Sequence, residues 1–182
     1  FDENMNVVNS FLFESNFYNK NRFDYEEFSR SLLNIGSKFH NQLDLLYEIW
    51  KKLEIKRLYK WAIKFEESDR HIGDNWAYNK KHIASLIVRE AAIATNIEVS
   101  KYVVKNNIEG IHRNHMPDYK WKELPSKWLE RAYYWSQMQY HRWLAEPNYT
   151  HFTSPIRRLA DLILHRQIKS YIRWDKPVYE KK

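Results

Sequence analysis

Tyr149-Thr150-His151-Phe152-Thr153-Ser154-Pro155-Ile156-Arg157-Arg158 is the densest run of polar chemistry in the chain. Serine followed by proline is a strong helix start signal: the serine oxygen caps open amides, and proline is preorganised for the first helical position. The reading therefore starts a last helix at Ser154-Pro155, runs it to about Arg173, and buries Leu159, Leu162, Ile163 and Ile168. A helix N-terminus exposes unpaired N–H groups and a partial positive charge, which attract anions. Arg157 and Arg158 in the first turn oppose that dipole and need an external reason. A docked phosphate supplies one, with Thr153 and Ser154 adding hydroxyl donors. Asp161 and His165 follow Arg157 at four-residue intervals and, on one helical face, would orient its guanidinium. On these residues alone, a phosphate site and a capped amphipathic helix with an i,i+4 ion pair explain the segment equally well.

Outward from this segment the pattern is mainly helical. A long helix is expected from about His82 to Lys105, with Ile83, Ile87, Ala94 and Ile97 as its inner stripe. Glu90 completes that stripe. A carboxylate there is costly unless it is paired or faces a solvated site, so Glu90 is a functional candidate; a salt-bridged glutamate fits the same spacing. Gly110 ends the region, and residues 111–117 follow as strand or turn. A further helical stretch is expected from Pro125-Ser126, with Trp121, Trp128 and Trp135, seven apart, as a core stripe. Nearer the N-terminus, Phe39, Leu43, Leu46, Trp50 and Leu53 form one face of a helix starting at Ser37. Asp24 and Glu27 form a capping box for a shorter helix. Residues 65–80 read as a polar loop or turn, and residues 1–20 as strand plus loop.

Composition narrows the function. Of 182 residues, 43% are hydrophobic and 16% aromatic (8 Trp, 13 Tyr, 9 Phe), a load that disordered chains do not carry. With 3 Gly and 5 Pro the chain is no turn-rich all-β protein. Residues 1–50 hold four basic and eight acidic side chains and the rest hold 26 and 15, within a net charge of +7. A basic, aromatic-rich block suits a polyanion that also offers faces to stack on, which describes nucleic acid. Zero cysteines exclude disulfides, thiolate metal sites and thiol nucleophiles. No apolar run approaches a membrane span. The chain opens on Phe1 rather than Met and reads as a processed product or a piece of a longer protein, expected inside the cell, in cytoplasm or mitochondrion.

The string Tyr149 to Arg158, followed by Ala160-Asp161-Leu162 and His165-Arg166, resembles the signature of the ribonuclease II and ribonuclease R family. Other matches occur in order. Arg22-x-x-Tyr25-Glu26-Glu27 is similar to the family's Arg-x-x-Tyr-Glu-Glu segment. Leu86 to Asn96 resembles its Leu-Ile-Glu-Glu-Phe-Met helix, with Glu90 and Asn96 retained. Arg113-x-His115-x-Pro117 resembles its Tyr-Arg-x-His-x-x-Pro strand, and His141-x-x-Leu144-Ala145 its His-Phe-Gly-Leu-Ala segment. The resemblance spans nearly the whole of residues 1–182 and corresponds to the later part of the catalytic (RNB) module. It implies an α+β fold, helix-rich around a mixed or antiparallel sheet.

The resemblance also implies a hydrolytic 3′→5′ exonuclease that threads single-stranded RNA to a magnesium centre and releases nucleoside monophosphates. Arg157 would contact the scissile phosphate, and Arg158, Thr153, Ser154, Tyr149 and His151 would bind RNA beside it. Tyr25 would pack against the terminal nucleotide. Glu90 would face the ribose or base, selecting RNA through its 2′-OH. Arg113, His115 and His141 would line or support the channel. The sequence also departs from the pattern. The aspartate cluster that holds the metal is missing, and Asp69 and Asp74 have the wrong neighbours, so no residue of this chain is assigned to metal and the magnesium ligands belong to the parent protein. Flanking RNA-binding barrels are absent. Arg89 replaces an acid, Arg142 and Trp143 replace Phe-Gly, a tryptophan where glycine lets RNA approach, and the stretch from Pro117 to His141 is short. The alternative these departures support is an inactive RNB-derived RNA-binding or structural component of a ribonucleoprotein assembly, such as an organellar ribosome.

Overall fold

Asp24 opens the first helix, as its capping box predicts. In the computed structural model, which describes residues 1–60, 62, 75–115 and 132–179 (backbone alone for 75–82), helix α1 spans Tyr25–Leu33. The Asp24 carboxylate accepts from the amides of Glu26 and Glu27 at 2.8 and 2.7 Å, and Glu27 accepts the Asp24 N–H at 3.2 Å. Helix α2 spans His40–Tyr59. Leu32 of α1 and Leu43 of α2 are buried, and Phe23 sits edge-on to both Phe28 and Phe39. Of the face predicted for α2 only Leu43 is fully buried and Leu46 is exposed, while Glu54 and Arg57 go inside. That exchange has a cause in charge pairing, described below.

Helix α3, Asn75–Lys105, begins earlier than predicted. Its buried stripe runs through Leu86, Ile87, Glu90, Ile93, Asn96, Val99, Ser100 and Val103, with Ile93 and Asn96 inside where Ala94 and Ile97 were expected. The helix ends at Lys105, as expected, and a turn at Asn106 and Asn107 follows before Gly110. Asn107 takes the left-handed conformation (φ 52), its N–H bonds the Val104 carbonyl, and the Ile108 N–H reaches back to Val103. Gly110 serves packing instead: a Cβ there would lie 3.2 Å from Leu164 Cδ1.

Two compact units result, one of residues 1–9, 15–60 and 64–92, the other of 10–14, 61–63 and 93–182. In the second, Val99 and Val103 of α3 cluster with Leu164 and Ile168 of helix α4 (Leu159–Ile172), flanked by Leu12, Tyr102, Ile108, Phe152 and Ile172. Strand β1 (His112–Asn114) pairs antiparallel with β2 (Tyr133–Trp135), placing Arg113 opposite Tyr134. Bridges His112–Thr150, His115–His141 and His141–Glu146 extend this small sheet. The helix-rich fold around an antiparallel sheet matches the expected class.

Four local expectations are corrected. Residues 1–20 contain no strand, and Phe11, Phe13 and Phe17 are exposed. Trp135 lies in β2 and is exposed, so it is no member of a helical core stripe. The last helix starts at Leu159, not Ser154, because Arg158 is extended (φ −130, ψ 120). Along α4, Leu159 and Leu162 are exposed, Ile163 is half-buried, and Leu164 joins Ile168 in the core. Trp121, Trp128, Met116, Pro117, Asp69, Asp74, the predicted helix start at 125–126 and most of 65–80 lie outside the described residues. Among the described residues no helix is long and apolar enough to cross a membrane.

Candidate nucleic-acid site

Residues 149–158 form a turn held from several sides within the second unit. Asn96, buried on α3, is its main anchor: Nδ2 donates to the Tyr149 hydroxyl at 2.9 Å, and Oδ1 accepts the amides of Phe152 (2.9 Å) and Thr153 (3.3 Å). Thr150 Oγ1 donates to the Ile111 carbonyl at 2.6 Å, and the Arg113 N–H to the Tyr149 carbonyl at 2.9 Å. His165 of α4 stacks on the Phe152 ring (3.8 Å between centroids, 7°) and donates from Nε2 to the Phe152 carbonyl. A loop this constrained presents its backbone in one geometry.

At its far end Asp161, fully buried, accepts the Ser154 N–H at 2.7 Å and Arg158 Nη2 at 2.9 Å through the same oxygen. Asp161 therefore orients Arg158, three residues before it, and not Arg157 as the four-residue spacing suggested. His165 holds Phe152 and contacts neither guanidinium in this way. The amides of Arg157 and Arg158 both reach the Ser154 carbonyl, closing a turn over residues 155–157. The outcome is one fixed guanidinium, Arg158, and one exposed guanidinium, Arg157, at the rim of the turn, with exposed Thr153 beside them.

Beneath the turn runs a ladder of rings. Trp143 lies 4.5 Å from His115, His115 5.8 Å from His141, His141 5.0 Å from Tyr149, Tyr149 5.6 Å from His151 and His151 5.6 Å from Tyr134. Tyr134 bonds His151 Nδ1 through its hydroxyl at 2.6 Å and rests on the Arg113 guanidinium at 4.6 Å. His115, His141 and Tyr149 are buried, so they support the site from below. Burial, and then the neighbouring His115, push His141 down to about 4. Burial, and then Arg158, push His151 down to about 4, with Arg113 and Arg157 adding to the effect. Both imidazoles are neutral at physiological pH, and burial raises the Tyr149 hydroxyl.

The sign of this linkage is definite. Between the ordinary value of 6.5 and about 4, the unfolded chain takes up protons that folded His141 and His151 do not. Stability is therefore full above the ordinary value and falls as pH drops, by up to ~1.4 kcal/mol per pH unit for His141 and by less for His151, whose greater exposure screens the effect. Urea unfolding at about pH 6.5 and about pH 5 checks this, and His141→Gln is expected to remove the larger part of what the two imidazoles contribute to the slope.

Two predicted site residues lie in the first unit. Tyr25, the first residue of α1, is half exposed with its ring open to solvent. Glu90 is buried, and its carboxylate is taken by Arg57 (2.8 and 3.2 Å) and by Arg89 (3.1 Å). In this structure the Glu90 carboxylate is engaged by an internal ion pair. The pair extends into a chain of alternating charge, as Arg89 also bonds Glu54 at 2.7 Å and Glu54 bonds Lys51 at 2.8 Å. Burial raises the Glu54 carboxyl, but Lys51, Arg89 and Arg57 more than offset it and hold it below its ordinary value. This network is why α2 buries Glu54 and Arg57.

Among the described residues no group of three or more His, Asp or Glu side chains converges where a metal ion could be held. The donors among the described residues do not fit a resident magnesium ion. Three residues organise the site beyond the predicted set. Asn96 was marked only as retained in a helix resembling the family's and Trp143 only as a departure from the family pattern, while no local signal singled out Tyr134. Trp143 spends its ring on His115.

With this geometry in place, comparison assigns the lineage. The RNB-domain family model matches residues 1–124 and 120–173, and the chain belongs to that family. Ribonuclease R of Aquifex aeolicus is 24% identical over 237 aligned positions, a match covering 100% of this chain and 34% of the relative. An active-site mutant of the Dss1 exoribonuclease from Candida glabrata shares the fold with a TM-score of 0.69 at 22% identity, covering 86% of this chain and 24% of that one. Yeast Ssd1, a pseudonuclease, shares it with a TM-score of 0.61 at 20% identity, covering 86% of this chain and 26% of that one. The matches span from 4% to 34% of the length of the curated relatives compared.

Proposed function

We propose that this chain is the later part of the catalytic module of a 3′→5′ exoribonuclease that hydrolyses single-stranded RNA to nucleoside monophosphates. The observation that carries the reading is the clamped turn: Asn96 and Asp161 fix its two ends, while Arg157 stands exposed at its rim. In such hydrolysis, water attacks phosphorus, the bond to the upstream 3′ oxygen breaks, and the terminal nucleotide leaves as a 5′-monophosphate. Negative charge grows on the phosphoryl oxygens, and a guanidinium brought against them stabilises it. Arg157 takes that role. Arg158, held by Asp161, adds a second positive charge, and the Thr153 and Ser154 hydroxyls donate to phosphate oxygens. His151 and Arg113 follow the strand, Tyr149, His115 and His141 hold them in place, and Tyr25 offers its exposed ring to the terminal base.

A second reading, RNA binding without cleavage, is favoured by one observation: Arg89, which stands where the family pattern has an acid, is bonded to Glu54 and Glu90 in an internal ion-pair network. One experiment separates the two. The full-length protein is incubated with 3′-tailed RNA and magnesium. Release of monophosphates that falls about 100-fold or more in Arg157→Ala, as for loss of a transition-state donor, supports the nuclease. RNA binding with no release supports the second reading. Equal cleavage by the variant removes Arg157 from its role.

A further inference from the structure

We propose that Tyr134 is a nucleobase platform, on which one base of a single RNA strand stacks beside the turn bearing Arg157 and Arg158. The inference rests on the RNA reading above and adds to it a base-binding subsite. Arg113 and Tyr134 are directly opposed cross-strand partners, and the Arg113 guanidinium lies 4.6 Å from the ring centroid. The residue is nevertheless 40% exposed. A ring backed by a cation and still open to solvent is the arrangement single-strand binders use, because every base offers a π-face and every linker a negative charge.

The ring is also fixed in advance. Its hydroxyl is tied to His151 Nδ1 at 2.6 Å, and the two rings meet at 67°. Holding one face and the hydroxyl end of the side chain lowers the ordering cost of binding and leaves the other face for a base. His151 in turn lies two residues before Thr153, and Arg113, Arg157 and Arg158 all act electrostatically on it. The Arg113 guanidinium against the ring and the two arginines of the neighbouring turn supply positive charge for a strand's phosphates. Trp135 is more exposed than Tyr134, but alternation along β2 directs it to the opposite face, so it is no part of this subsite.

The test uses oligo(U) carrying 5-iodouridine and the full-length protein in EDTA, so that binding is read without cleavage. Photocrosslinking to the wild-type protein is expected to map to the peptide containing Tyr134, a readout that needs no variant to fold. Tyr134→Ala is expected to bind oligo(U) roughly ten- to a hundredfold more weakly, whereas Tyr134→Phe, which keeps the ring, stays within about threefold. Near-UV circular dichroism confirms that each variant is folded. Wild-type binding with crosslinks elsewhere and no loss in Tyr134→Ala overturns the platform and leaves the RNA reading standing. Failure of the wild-type protein to bind oligo(U) overturns the RNA reading and the platform with it.

Discussion

Replacing Glu90 with alanine is expected to lower unfolding free energy by about 3–5 kcal/mol, the range for breaking a buried ion pair from one side. Glu90 is 2% exposed and Arg57 5%, and their bonds are bidentate. Alanine would take the Glu90 carboxylate away from the buried Arg57 guanidinium and would remove a bond from Arg89 as well. The charge, more than the packing, is at stake. Glu90→Met in combination with Arg57→Met is accordingly expected to recover most of the loss, since matched apolar side chains avoid both desolvation costs. Urea denaturation of the two single variants and the double variant measures the coupling. A Glu90→Ala variant as stable as wild type would show that the network contributes nothing.

Asp161→Ala is expected to cost about 2–4 kcal/mol and to loosen the turn that carries Arg157. One buried carboxylate oxygen serves both the Ser154 amide and Arg158, so alanine strands a backbone donor and a positive charge together. Arg158 retains some solvent contact, with 21% of its side chain exposed, which keeps the estimate below that for Glu90. Asp161→Asn preserves an acceptor for both donors and is expected to cost half as much or less. Equal unfolding midpoints for Asn and Ala would place the effect in the charge alone. A midpoint unchanged in Ala would remove Asp161 from its clamping role.

These two carboxylates show what the sequence can reveal. Glu90 was legible as a buried mid-stripe charge because helical periodicity is local. Its main partner Arg57 was not, since it arrives from α2, 33 residues away. The positive residue at 89, a departure from the family pattern, is explained by the same network, where it bridges Glu54 and Glu90. The Asp24 capping box was readable because every participant lies within four residues. Ser154-Pro155 misled for a related reason. Local cap signals say nothing of Asp161, whose carboxylate captures the Ser154 amide from seven residues away while an extended Arg158 delays the helix to Leu159. The aromatic spacing that put Trp135 in a helix failed because pairing with β1 overrides periodicity in a short segment.

The most direct measurement is the salt dependence of single-stranded RNA binding by the full-length protein and its Arg157→Gln variant, in EDTA. A guanidinium that meets a phosphodiester releases counterions, so the variant is expected to bind more weakly and to lose about 0.7 from the slope of log K against log salt. Coincident lines for the two proteins, equal in affinity and slope, would contradict the claim that this turn holds RNA through Arg157.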